Sequence, residues 1–186
     1  MSCKETPDSV KILVFNFHNQ TLIFCSEPRW PDVREASFFS RSKGQEEWNF
    51  SSHLHYIQRV RPRFIILNVG SNDLSSSGGL RPETLGSTIH EFVNDLNQNY
   101  GVEKVIVLQQ LRREHAPYLN SRIDLLNRYL RVTLEDEGCT EFWRHPHLSM
   151  NTPGFYLDGT HLGPLGMERY YRSIRGVIIQ YCNVTN

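Results

Sequence analysis

The sequence has no excess of charge of either sign: Lys and Arg together number 20, and Asp and Glu together number 20. That balance builds no basic field, so nothing points to nucleic acid as a partner. Long apolar runs are also missing. None approaches the roughly 20 residues that a membrane-spanning helix needs. The opening stretch, Met1 to Asp8, is polar and lacks the pattern of a secretory signal. The glycosylation sequons at Asn19, Asn49 and Asn183 therefore read as chance matches, and a cytosolic or nuclear protein is expected. Cysteine is scarce. Its 4 copies, Cys3, Cys25, Cys139 and Cys182, are scattered, and no Cys-x-x-Cys spacing suggests a zinc or redox site. Reduced thiols are the simpler expectation. There is no internal repeat, and the Ser75–Gly79 stretch is too short to separate domains. A length of 186 residues then suits one domain with a full core, spanning 1–186, with 1–9 expected to be flexible.

What the chain does have is alternation. Val10–Phe17 is apolar enough for a buried first strand. His18 to Thr21 is polar, and Leu22–Cys25 runs apolar before Pro28 and Pro31 break regularity. Arg34–Ser40 is predicted as a short second strand, followed by a loop at Arg41–Gly44. Trp48, Leu54, Ile57 and Val60 fall at near-helical spacing, predicting a helix over Gln45–Arg61. Phe64–Val69 reads as a strand buried on both faces. Pro82 opens a helix carrying Ile89, Phe92, Val93 and Leu96, and Gly101 ends it. A strand over Val102–Leu108 follows. Pro117 then starts a long helix, striped by Ile123, Leu126, Leu130 and Leu134 and capped by Gly138. Cys139–Trp143 is a fifth strand, His145–Phe155 a loop, and Gly163–Tyr181 the last helix. Strands alternating with helices over short connections predict a three-layer α/β/α sandwich on a parallel sheet.

Two stretches carry candidate chemistry. The strand at Phe64–Val69 stops at Gly70-Ser71-Asn72-Asp73. Parallel sheets place their chemistry at the carboxyl ends of strands, where Gly70 permits a sharp turn and Asn72 offers an amide donor. A plain Asx turn would use the same residues. Further on stands Asp158-Gly159-Thr160-His161-Leu162. An Asp three residues before a His can orient the imidazole and stabilise its charged form; a capped turn before the final helix is the alternative. If both stretches are functional, Asn72 and His161, almost ninety positions apart, should line one cleft near the end of the first strand. Other groups are weaker candidates. His53 and His55 would point to different sides of a helix, and His145 and His147 read as a solvated pair. Arg112-Arg113 could bind an anion but reads more simply as a solvated helix approach. Trp48, Phe38 and Phe39 read as core.

A strand ending in Gly70-Ser71-Asn72-Asp73, paired with a late Asp158-Gly159-Thr160-His161 before the last helix, resembles the SGNH (GDSL-type) hydrolase family. The stretches Leu111-Arg112-Arg113, Asn120-Ser121-Arg122, Leu126-Asn127 and Phe142-Trp143-Arg144-His145 look like the retroelement-type esterase domains within it. The resemblance implies a flavodoxin-like sheet of five parallel strands and hydrolysis of small acyl esters, with no metal or organic cofactor. It makes His161 the general base, Asp158 its orienter, and Asn72 an oxyanion donor together with the N–H of a glycine best matched by Gly44. It also exposes a departure. The family's first block, Gly-Asp-Ser or Gly-His-Ser, is met here by Phe17-His18-Asn19. Asn19 stands at the nucleophile, and a carboxamide cannot be activated to attack an ester. Three outcomes follow from the resemblance: a degenerate hydrolase of weak or lost activity, a working esterase that recruits Thr21 or Ser26 or activates water through His161, or a binding module that uses the same cleft.

Overall fold

The computed structural model describes residues 11–16, 20–25, 51–75, 80–135, 138–146, 148 and 150–181. Strand β3 (Phe64–Asn68) lies at the middle of the sheet, and Ile65, Ile66 and Leu67 are all buried. A strand covered on both faces needs apolar residues at successive positions, which is what this sequence supplies. On one side β3 pairs in parallel with β1 (Lys11–Asn16), and on the other with β4 (Lys104–Leu108). β4 pairs in parallel with β5 (Thr140–Trp143). An edge strand, β2 (Gln20–Cys25), completes the order β2-β1-β3-β4-β5.

The expectation of a wholly parallel five-stranded sheet is corrected here, because β2 runs antiparallel to β1, with Asn16 opposite Gln20 and Lys11 opposite Cys25. Only Phe17, His18 and Asn19 separate the two strands in sequence. A parallel crossover needs a dozen or more residues, whereas a connection this short closes a hairpin. The second strand expected at Arg34–Ser40 lies outside the described residues, as does the amino-terminal part of the helix expected from Gln45.

Helix α1 (Ser51–Val60) leads into β3, and the short α2 (Ser71–Ser75) follows it. The longer helices α3 (Pro82–Tyr100), α4 (Pro117–Leu134) and α5 (Pro164–Tyr181) each open on proline. At a helix's first position the missing N–H costs nothing. Gly101 ends α3 in the left-handed conformation, φ 66°, as its place in the sequence predicts. Gly138 does not end α4. That helix stops at Leu134, and Glu135 keeps a right-handed backbone.

Period-two alternation divides the apolar residues between two clusters. Ile65, Leu67, Val105 and Val107 face Ile57 of α1, Leu85, Ile89, Val93 and Leu96 of α3, and Ile123, Leu126, Leu130 and Leu134 of α4. Ile66, Ile106 and Leu108 belong to the second cluster, with Tyr170, Ile174 and Val177 of α5. Both apolar stripes predicted for α3 and α4 are thus buried. Among the described residues, no helix is long and apolar enough to cross a membrane.

Candidate active site

After Asn68 the chain leaves the sheet through Gly70, whose φ of 107° disfavours any side chain. Space is also short, since a Cβ built there would lie 3.2 Å from Leu85 Cδ2 and 3.3 Å from Leu126 Cδ2. The turn puts Asn72 in the first turn of α2, exposed. Its Oδ1 accepts a hydrogen bond from Arg113 Nη2 at 3.3 Å.

Asp158 spends both carboxylate oxygens on the segment that follows it. Oδ2 lies 2.7 Å from His161 Nδ1. Oδ1 accepts the backbone N–H of His161 at 2.7 Å and that of Thr160 at 3.0 Å. Orienting the imidazole and capping the turn, posed as alternatives by the sequence, are done by one carboxylate at once. The capped N–H groups belong to the Asp158–His161 turn rather than to α5. These hydrogen bonds, led by the His161 backbone N–H and then its ring, hold the Asp158 carboxyl well below the usual carboxylate range. A carboxylate only accepts, so Nδ1 is the ring nitrogen that donates in this contact. The side chains of His161 and Asp158 are 61% and 51% exposed.

One connection brings these two stretches together. Residues 109–116 link β4 to α4. Arg113 reaches Asn72, and the next residue, Glu114, donates its backbone N–H to Gly159 O at 2.7 Å. The Tyr156 hydroxyl donates to Arg112 O. Burial pushes that hydroxyl's pKa up to about 12, so it stays protonated and able to donate. Asn72, which follows β3, and the Asp158–His161 turn therefore both border the segment leaving the carboxyl end of β4.

Helix α4 anchors this connection with two asparagines seven residues apart, on one face two turns apart. Asn120 accepts the Arg113 N–H at 2.8 Å and donates to Arg113 O at 2.7 Å. Asn127 accepts the Gln110 N–H at 2.8 Å and donates to Gln110 O at 2.9 Å. Each side chain imitates a strand partner. Arg112 is held in a fork by Asp124, at 2.9 and 2.5 Å. Sequence reasoning gave Asn120 and Asn127 no role of their own. Their spacing on a predicted helix was the available signal.

Gly44, Asn19, Phe17, Ser26, His147 and the Trp48, Phe38 and Phe39 group lie outside the described residues. Thr21 lies in β2, opposite Phe15. Among the described residues, no group of three or more His, Cys, Asp or Glu could hold a metal ion. His145 departs from the solvated pair that the sequence suggested. It is 8% exposed, with Nδ1 2.8 Å from Ser173 Oγ and its ring 5.0 Å from that of Tyr170. Trp143 Nε1 donates to the same Ser173 Oγ. A histidine that the sequence left in a loop is here packed under α5, and desolvation brings its pKa down to about 4.

No family model matches the chain, and no curated protein does. Solved structures do. A carbohydrate acetylesterase from Sinorhizobium meliloti aligns over 74% of this chain and 72% of its own, with TM-score 0.55 and 16% identity. A carbohydrate esterase of family 3 from Talaromyces cellulolyticus aligns over 70% of this chain and 63% of its own, with TM-score 0.56 and 16% identity. A protein described as a GDSL-like lipase from Bacteroides ovatus aligns over 67% of this chain but only 37% of its own length, with TM-score 0.53 and 19% identity. The α/β fold of this chain, with its parallel ladder, is SGNH-hydrolase-like.

Proposed function

We propose that the chain is an SGNH-hydrolase-like domain related to esterases of small acyl esters, with weak or lost activity because Asn19 replaces the serine of the first block. In this reading the domain is a three-layer α/β/α sandwich, which the apolar clusters on alternating strand positions support. His161 is the general base and Asp158 orients it. Asn72 and the Gly44 N–H receive the oxyanion. The observation that carries the reading is the 2.7 Å approach of Asp158 to His161 Nδ1, in a turn bonded through Glu114 to the segment that contacts Asn72. The acyl ester as substrate class draws support from the esterase descriptions of the structural neighbours.

A working esterase with a relocated nucleophile is the second reading, and the sheet register distinguishes its two candidates. Gln20, next to Thr21, pairs with Asn16 at the carboxyl end of β1, the end where Asn68 also lies. Cys25, which Ser26 follows, pairs with Lys11 at the opposite end, about 17 Å away at roughly 3.4 Å per strand residue. The register therefore favours Thr21 over Ser26. A non-catalytic binding module using the same cleft is the third reading.

The test is hydrolysis of short-chain aryl esters. Wild type is expected to turn over feebly or not at all. A robust wild-type rate abolished by Thr21→Val would contradict the degenerate reading and establish the relocated nucleophile. If Asn19→Ser and Phe17→Gly with Asn19→Ser stay folded and neither shows turnover that His161→Ala removes, the binding module takes precedence, and ligand-induced thermal shifts become the informative measurement.

A further inference from the structure

We propose that Arg113 is a positioning residue for Asn72: it grips Oδ1 of the carboxamide and so fixes which end of the amide an incoming acyl oxygen would meet. The proposal rests on the reading of Asn72 as an oxyanion donor. A carboxamide has an acceptor end and a donor end of nearly equal shape, and nothing intrinsic to asparagine decides which faces a ligand. For an oxyanion the choice is decisive. The Nδ2 hydrogens stabilise the developing charge, whereas a flipped Oδ1 would repel it. A guanidinium has five donors and no acceptor, so an arginine in contact with the amide selects its oxygen. Arg113 Nη2 lies 3.3 Å from Asn72 Oδ1. That choice leaves the Nδ2 hydrogens on the other side of the planar group.

Arg113 is itself held where it can do this. Its backbone N–H and C=O are both bonded to the Asn120 side chain, at 2.8 and 2.7 Å, so its Cα cannot drift along the α4 surface. Two residues on, His115 takes a left-handed φ of 57°, an unfavourable state for a residue with a Cβ. Such a turn persists only where its surroundings enforce it. Between them Glu114 bonds the Asp158–His161 turn. The adjacent Arg112 is engaged by Asp124 and exposed, so the two neighbouring arginines have separate tasks. Arg113 also places a full positive charge beside the amide that would receive the oxyanion, which reinforces the donor electrostatically.

Two measurements on the full chain test this. The first is nitrogen-edited NMR of the Asn72 side-chain amide. Contacts between the Arg113 guanidinium protons and Asn72 are expected. Replacement by Arg113→Ala should move the Asn72 Nδ2 resonances, and Arg113→Gln, which keeps a donor without the charge, should restore them in part. Unmoved resonances in Arg113→Ala would overturn the proposal. The second is aryl-ester kinetics in the Phe17→Gly, Asn19→Ser background. There Arg113→Ala should lower kcat about tenfold with KM little changed, less than the roughly 10²–10³-fold cost of losing an oxyanion donor outright. Arg113→Gln should recover part of that loss. In Asn72→Ala the Arg113→Ala change should cost nothing further, because the two residues act as a unit. A loss that simply multiplies with that of Asn72→Ala would overturn the positioning role. If no background variant turns over ester, the oxyanion reading of Asn72 fails, and the resonance shifts alone decide whether Arg113 sets the amide.

Discussion

Asp158 does two things with one carboxylate, and a single substitution separates them. Asp158→Asn keeps an oxygen that can accept the Thr160 and His161 backbone N–H groups, but loses the charge that favours a protonated imidazole. It should lower the urea midpoint modestly and abolish any His161-dependent turnover. His161→Ala should abolish the same turnover with little change in midpoint. A stability loss confined to Asp158→Asn, with activity untouched by either change, would reduce the pair to a capped turn. His145 supports a different prediction. Its pKa lies near 4 in the fold against about 6.5 when unfolded. The unfolded chain therefore binds the extra proton first. The stability that His145 contributes is fully present above about pH 6.5 and is lost as pH falls from there to 4. The loss amounts to at most about 3 kcal/mol at 1.36 kcal/mol per unit. Denaturant titrations at pH 7 and pH 4.5 should show that fall, and His145→Gln should shrink it. An undiminished fall in the variant would assign the acid sensitivity elsewhere.

Among the elements, the helices and central strands were legible because one residue class dominated each. Ile65, Ile66 and Leu67 announced a strand covered on both sides, and Pro82 and Pro117 marked helix starts. Gly138 misled because a glycine near a predicted helix end resembles a cap wherever the helix stops, and α4 stops earlier, at Leu134. The β1–β2 pairing was not legible because Leu22–Cys25 is an apolar run of only four residues with prolines soon after it, which reads less like a strand than Arg34–Ser40. Close approach of two helices leaves only a faint trace in a sequence. Gly86 of α3 sits against the Tyr129 ring of α4, and a Cβ built there would lie 2.3 Å from Cδ1. In an exposed helix, Gly→Ala would gain about 1 kcal/mol in propensity. Here the clash requires repacking at roughly 1–3 kcal/mol and disturbs the 2.9 Å hydrogen bond between Ser87 and Tyr129. Gly86→Ala should therefore be destabilising, read as a lower thermal midpoint. An increase would mean that the two helices can separate freely.

At the scale of the whole molecule, topology brings the two candidate stretches to one connection. Asn72 and His161 are distant in sequence. They approach the same connection because parallel strands deliver their successive loops to one end of the sheet. Strand–helix alternation and the two motifs led to that expectation of a common sheet end. What could not be read was the connection itself. Arg113 and Gln110 are held through their backbone groups by Asn120 and Asn127, and Glu114 bonds Gly159 through its backbone N–H, so the seven-residue spacing of the two asparagines was the only trace of these contacts in the sequence. The central claim, a dormant ester-hydrolase site whose first block has lost its glycine to Phe17 and its serine to Asn19, is tested most directly by one rate comparison. Short-chain aryl-ester hydrolysis is measured for Phe17→Gly with Asn19→Ser, and again with His161→Ala added. The account predicts turnover well above wild type in the first protein and its loss in the second. Equal rates in the two, with both folded, would contradict it.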